Sequence, residues 1–140
     1  MLLIDTNVIS EGRKGRRADA GVMAFWGDVA RAQTPLFVSA ITIGELRRGI
    51  ALIRHRGDQQ QAGVLESWLA QVISDFSDRV LPLDADGAQL WGRLRVPQGH
   101  NAIDKQIAAT ALLHGLTLVT LNTADFAGTG VPLLNPFSGS

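Results

Sequence analysis

The chain opens Met1-Leu-Leu-Ile-Asp5-Thr-Asn7, a short apolar run that ends abruptly in an acid and two small polar residues. Leu2 to Ile4 read as a buried strand, and the strand delivers a carboxylate at its C-terminal end. In open α/β sheets that is where ligands bind, in the crevice beyond the strand ends. The question for the rest of the chain is which other carboxylates meet Asp5 there.

Working outward, Val22, Phe25, Trp26 and Val29 recur at helical spacing up to about Ala32, and Pro35 ends that segment. Between Asn7 and this helix, Gly12 and Gly15 break a polar stretch. Leu36 to Ala40 read as a second strand, followed by a helix with Leu46, Gly49, Ile50 and Ile53 on one face. Gly57-Asp58 marks a turn, after which Leu65, Trp68, Leu69, Val72, Ile73 and Phe76 form the clearest amphipathic stripe in the chain. Arg79 to Asp84 read as an edge strand because Pro82 cannot donate to a ladder, and Asp84 or Asp86 caps a helix containing Leu90, Trp91 and Leu94. A helix from about Ala102 to His114 stops at Gly115. Leu116 to Thr120 form another strand, and Val131 to Leu134 a short last one. Strands alternating with helices predict an α/β fold: three layers, α/β/α, around a central parallel sheet.

The 140 residues suffice for one domain that buries roughly two thirds of its unfolded surface. Residues 1–137 are expected to form it, with 138–140 as a flexible tail. A hydrophobic content of 46%, charged content of 19% and mean hydropathy of +0.12 describe an ordinary globular interior. With no cysteine, disulfides and thiolate metal sites are excluded. No apolar run approaches the ~20 residues of a membrane span, and no basic leader with an apolar signal region opens the chain, so a cytoplasmic protein is expected. Net charge is zero, but the charges are uneven. Through residue 60 there are nine Lys/Arg, including Arg13, Lys14, Arg16, Arg17, Arg47 and Arg48, against six acids. If some of those acids gather at one site, basic residues rim an acidic centre, which suits a polyanion gripped at its edges. The plainer reading is a solvated basic loop at Arg13 to Arg17.

Five polar residues occupy strand ends or helix starts. Asp5 ends the first strand, Glu45 lies in the first turn of the helix after the second, Asp104 lies in the first turn of its helix, and Asn122 and Asp125 follow Thr120. Asp104 is the most telling, because Ile107, Ala108 and Ala111 follow it at i+3, i+4 and i+7, the stripe that must pack on the sheet. An unpaired carboxylate directed inward costs several kcal/mol or is neutralised, and a divalent cation is an economical partner. Each residue has a duller role. Asp5-Thr6-Asn7 fits a turn or N-cap, Thr42-x-x-Glu45 a capping box, Asp104 a dipole partner, Asn122 a turn, and Thr123 with Asp125 a local side-chain to backbone bond. Those roles would have to coincide at one sheet edge. There is no Gly-rich phosphate loop, His/Cys metal spacing or G-x-S-x-G elbow.

The stretches Leu3-Ile-Asp-Thr-Asn-Val-Ile-Ser-Glu11, Ser39-Ala-Ile-Thr-Ile-Gly-Glu-Leu-Arg-Arg-Gly49, Asp104-Lys-Gln-Ile-Ala-Ala-Thr-Ala111, Leu118-Val-Thr-Leu-Asn-Thr-Ala-Asp-Phe126 and Leu134-Asn-Pro-Phe137 together resemble the motifs of PIN-domain ribonucleases. More narrowly they resemble the VapC/FitB-type toxins of bacterial toxin–antitoxin pairs. The resemblance covers nearly the whole chain. It implies an endoribonuclease dependent on Mg2+ or Mn2+, with Asp5, Glu45, Asp104 and Asn122 as catalytic positions and Asp5 and Asp104 as metal ligands. Many relatives carry Asp where this chain has Asn122, and often a basic residue at Leu121. Asn supplies a neutral oxygen, and Asp125 compensates only if its side chain reaches. Thr6 and Asn7 match positions that line the site, Thr120 and Thr123 are candidate supporting hydroxyls, and Arg13, Arg47 and Arg48 are candidates for RNA backbone contacts. The implied partners are an RNA substrate, a small antitoxin encoded beside the gene and a second copy of the chain. Two other readings are a PIN-like RNA- or protein-binding module that has lost its metal with the charge at position 122, and a receiver-like signalling domain. The second fits poorly, because the residues after the second strand offer no phospho-accepting Asp.

Overall fold

A computed structural model describes residues 1–139. Five short strands form one parallel sheet in the order β3-β2-β1-β4-β5: β1 is Leu2–Ile4, β2 Leu36–Ser39, β3 Val80–Leu81, β4 Thr117–Val119 and β5 Leu133–Leu134. Leu3 is paired with Phe37 on one side and with Leu118 on the other. β1 therefore lies at the centre, and Asp5 emerges from the middle of the sheet. β3 lies at the sheet edge as read, but it ends at Leu81, so the strand expected over Arg79 to Asp84 is shorter and Pro82 follows it, where its missing N–H interrupts no ladder.

Alternation along the strands builds the three layers. Ile4, Val38 and Val119 face one core together with Val8 and Ile9 of α1 (Thr6–Gly12), Val22, Phe25 and Val29 of α2 (Ala20–Ala32), Leu46 and Ile50 of α3 (Ala40–His55), and Ala62, Leu65, Leu69 and Val72 of α4 (Gln59–Asp75). Leu3 and Leu118 face the other, with Ile107, Ala108 and Ala111 of α6 (Ala102–His114) and with Phe126, while α5 (Ala85–Leu94) packs on α6. The three-layer α/β/α fold follows from one rule: neighbouring residues on a strand point to opposite faces, and both faces must be covered. Of the stripe read in α4, Ile73 stays partly exposed while its neighbours Leu69 and Val72 are buried.

Several local expectations are corrected. The stretch after Asp5 is a helix, α1, where a broken polar segment was expected, and of the turn and N-cap readings of Asp5-Thr6-Asn7 the N-cap holds. Asp5 caps it, its Oδ1 accepting from the Thr6 N–H at 2.8 Å, and two buried apolar residues, Val8 and Ile9, are enough to seat so short an element. α3 starts earlier than the capping-box reading requires. Ser39 is its N-cap, accepting from the Ile41 N–H at 3.0 Å, so Glu45 falls in the second turn and no longer reaches a free helix terminus. Thr42 is fully buried instead. Of Asp84 and Asp86 it is Asp84 that caps α5. The tail expected from Ser138 is tied down at its first residue: the Ser138 N–H and hydroxyl donate to the two carboxylate oxygens of Asp19 at 2.9 and 2.6 Å. Ser140 lies outside the described residues.

Candidate active site

Asp5 is one step beyond the pairing of Ile4 with Val119, so its neighbour across the sheet edge is Thr120. The Asp5 carboxylate, 5% exposed, accepts from the Thr120 hydroxyl at 2.7 Å and the Thr6 N–H at 2.8 Å, and more weakly from Asn7 Nδ2 at 3.5 Å. Asn7 also donates to Thr120 Oγ1 at 3.3 Å and accepts the Leu121 N–H at 3.0 Å, and the Asn122 N–H donates to Thr120 Oγ1 at 3.1 Å. The strand end and the turn after β4 are thus sewn together around one carboxylate.

Three further acids bear on it. Burial pushes the Asp5 carboxyl above its ordinary range, against the pull of Thr120, Thr6 and Asn7, and the charge of Asp125 adds to the rise. Glu45 is raised by burial and then by the charge of Asp5, with Arg48 pulling it back. Asp104 is pushed up to about 6 by burial, then by Asp5, Asp125 and Glu45. Four carboxylates from the end of β1, α3, α6 and the 3-10 turn Thr123–Phe126 lie within reach of one another's charge, with Arg48 the cation that offsets Glu45. In water like charges at such range are screened; at a half-buried edge they are not, and the protons are held more tightly.

The other expected residues divide. The Asn122 side chain is exposed and caps no helix, its backbone N–H making the contact with Thr120. Asp125 rather than Asn122 contributes charge to the cluster. Thr123 is half-buried in the 3-10 turn. Arg47 is paired with Glu66 of α4, which also binds Arg54, whereas the charge of Arg48 is felt by Glu45. Arg13 stands over the ring of Trp68 at 5.9 Å and shares a cavity of about 250 Å3 with Thr6, Ser10 and Glu45. Lys14 is paired with Glu11 at 2.9 Å. The hydroxyl of Thr6 is buried in the wall of that cavity without a hydrogen-bond partner. One charged residue escaped the sequence reading: Lys105, beside Asp104, is 7% exposed. Its signal was present, since position 105 precedes the buried Ile107 and Ala108 on a helix apolar on most sides.

The donor set suits a hard divalent cation. All the candidate donors are oxygens, they carry unbalanced negative charge, and the orphaned Thr6 hydroxyl lies on the adjacent wall. Among the described residues no three Asp, Glu, His or Cys side chains converge closely enough to enclose an ion unaided.

A parallel α/β/α domain with interacting acids at the carboxyl edge of its central strands is the class that fold and site define. The PIN domain profile matches residues 2–131, and the chain belongs to the PIN-domain family. It is 34% identical over 143 residues to VapC ribonuclease Y4jK of Sinorhizobium fredii, covering 98% of both chains. It is 35% identical over 143 residues to Toxin FitB of Neisseria gonorrhoeae, covering 98% of this chain and 99% of the other. The crystal structure of FitAcB from Neisseria gonorrhoeae superposes with a TM-score of 0.83 at 34% identity, covering 97% of this chain and 98% of that one. Within the PIN domains the chain therefore stands with the VapC/FitB toxin–antitoxin group. No helix among the described residues is long and apolar enough to cross a membrane.

Proposed function

We propose that this protein is a Mg2+- or Mn2+-dependent endoribonuclease, the toxin of a toxin–antitoxin pair, acting on RNA in the cytoplasm. The observation that carries the reading is the mutual charge of Asp5, Glu45, Asp104 and Asp125 at the carboxyl edge of the sheet. Burial together with neighbouring negative charge, which raises Asp5, Glu45 and Asp104, destabilises the metal-free fold, and such a cost is borne where the charges do work.

Asp5 and Asp104 would hold the cation, with the Asn122 amide beside them. When bound, a divalent ion neutralises the acids, draws in a phosphate oxygen and makes a water acidic enough to attack. The protein's own groups do the rest. Thr120, Thr6 and Asn7 fix the oxygens of Asp5. Glu45, with its raised pKa, orients the attacking water and accepts its proton as that water adds in line to phosphorus. The 3′ oxygen leaves, giving 5′-phosphate and 3′-hydroxyl ends. Arg48 and Arg13 bind neighbouring backbone phosphates, which makes binding salt-dependent.

An antitoxin and a second copy of the chain complete the proposal. A groove of about 550 Å3 runs between α1, α2 and α4, walled by Ile9, Trp26, Trp68, Val72 and Phe76 with Arg16 at its rim. The indole N–H of Trp26 is buried there without an acceptor. An apolar segment, such as one face of an antitoxin helix, matches this lining. The test of the enzyme is incubation of purified protein with a mixed RNA pool. Cleavage is expected with Mg2+ or Mn2+, and is expected to be lost with a chelator and in Asp5→Asn. Metal-independent RNA binding without cleavage would instead support the binding-module reading.

A further inference from the structure

The acid cluster borders a second, smaller cavity. It measures about 150 Å3, lies between the loop 94–101, α6 and the turn 124–129, and is lined by Gln98, His100, Asn101, Lys105, Asp125 and Thr129 together with a few apolar side chains. Lys105 is a nearly buried cation whose Nζ donates to the Gln98 carbonyl at 2.7 Å. An ammonium has three N–H groups, and this is the one hydrogen bond its side chain makes among the described residues. Thr129 is already occupied, donating to the Phe126 carbonyl at 2.6 Å and accepting from the Val131 N–H at 3.4 Å. The cavity thus offers a cationic donor, Lys105, and an acceptor with two oxygens, the exposed carboxylate of Asp125.

The same two residues tie the cavity to the acids. Lys105 follows Asp104 on α6, and Asp125 is one of the charges felt by Asp5 and Asp104. Single-stranded RNA is read by splaying out a base and binding its edges. A carboxylate that accepts two parallel N–H bonds matches guanine N1–H and N2–H, while Lys pairs with guanine O6 or N7. Uracil offers one such N–H, and adenine puts an amino group where the ammonium needs an acceptor. We propose that this cavity is a specificity pocket for one unpaired guanine flanking the scissile phosphate, with Lys105 donating to the base and Asp125 accepting from it. The proposal rests on the ribonuclease reading for its substrate class.

Binding separates the two. Asp5→Asn protein, silenced for cleavage, is titrated into labelled single-stranded oligoadenosine carrying one central guanosine, inosine, uridine or cytidine, read by fluorescence anisotropy. The guanosine oligomer is expected to bind about tenfold tighter than the all-adenosine one, with inosine, which lacks the N2 amino group, in between. Lys105→Met is expected to remove most of that difference. Asp125→Asn, at an exposed position that leaves folding intact, is expected to bring it to about twofold or less. Equal binding of all five oligomers, or a full guanine preference in Asp125→Asn, overturns the pocket. Cleavage without base preference sinks the pocket and leaves the nuclease standing. Guanine preference in a protein that cleaves no RNA does the reverse.

Discussion

Thr120 donates its single hydroxyl proton to Asp5 Oδ2 across 115 positions of sequence, at 2.7 Å. The direction is forced, because the same oxygen accepts from the Asn122 N–H and from Asn7 Nδ2. Thr120 therefore supports the charged form of a carboxylate that burial pushes toward the neutral one. Thr120→Val removes that donor and leaves two N–H groups without their acceptor. A loss of about 1–3 kcal/mol in urea unfolding is expected, with Thr120→Ser recovering most of it. The Asp5 pKa is expected to rise further, visible as a shift of the activity midpoint to higher pH. A Val variant as stable as the parent would show that the hydrogen bond has no net worth.

The raised acids give the metal-free protein an inverted pH dependence. A carboxyl whose folded pKa lies above its unfolded value binds more protons in the native state, so its contribution is fully present below the unfolded pKa and is lost as pH rises through the folded one. For Asp104 that window runs from 3.8 to about 6, and Asp5 and Glu45 act in the same sense. Glu11 and Asp19 are lowered by their hydrogen bonds, so their stability is present above the ordinary carboxylate pKa and fades only in stronger acid. With chelator present, Tm is expected to be higher near pH 5 than near pH 7.5. Millimolar Mg2+ should raise Tm at pH 7.5 far more than at pH 5. Equal Tm values across that interval would contradict mutual repulsion.

Removing one of the charges should trade function for stability. Asp104→Asn keeps shape and polarity while deleting a charge that opposes Asp5, Asp125 and Glu45. Its metal-free form is expected to gain roughly 0.5–1 kcal/mol, a modest figure because the group is only partly buried and solvent screens it. Cleavage is expected to fall by at least about a hundredfold if the residue holds the metal. Paired denaturation and single-turnover assays check both halves.

At the opposite end of α2, Asp19 both caps the helix through the Gly21 and Val22 N–H groups and holds Ser138. A Cβ on Gly21 would stand 2.2 Å from the Pro136 carbonyl oxygen and 2.7 Å from the Ser138 nitrogen. Backbone, not a flexible side chain, blocks it. Gly21→Ala is expected to lose about 1–3 kcal/mol through that overpacking, and Asp19→Ala about 1–2 kcal/mol as a lost cap. In both, faster hydrogen exchange at the Phe137 and Ser138 amides would report release of the clasp.

Arg47 is paired with Glu66, whereas the exposed Arg48 acts on Glu45 through its charge. Arg48→Ala is expected to weaken RNA binding and flatten its salt dependence by about one charge, and to let the Glu45 pKa rise, since Arg48 now holds it down. Arg47→Ala, whose partner is Glu66, should leave RNA affinity unchanged. Anisotropy titrations at several salt concentrations distinguish the two, and equal losses would place both on the RNA path.

What was legible in the chain was what repeats locally. Leu2 to Ile4 ending in Asp5, the stripe of α4, Gly115 closing α6 in the left-handed conformation, and the edge position of the strand that ends before Pro82 all follow from periodicity or from the stereochemistry of one residue. These determined the layers, and so the edge at which Asp5, Glu45 and Asp104 stand. Helix α1 was not legible, because seven residues with two buried side chains carry too short a period to read. Ser39 displaced the Thr42–Glu45 box for a similar reason: a helix start depends on where the preceding strand releases the chain.

Only the tertiary structure decided which oxygen of Asp5 meets Thr120, that Asp125 rather than Asn122 brings charge to the cluster, and that Ser138 closes on Asp19. Each is a contact between side chains on separate elements, several of them more than a hundred residues apart. Such contacts are set by how the layers stack and how far each side chain reaches, and the period of a strand or helix carries no information about either.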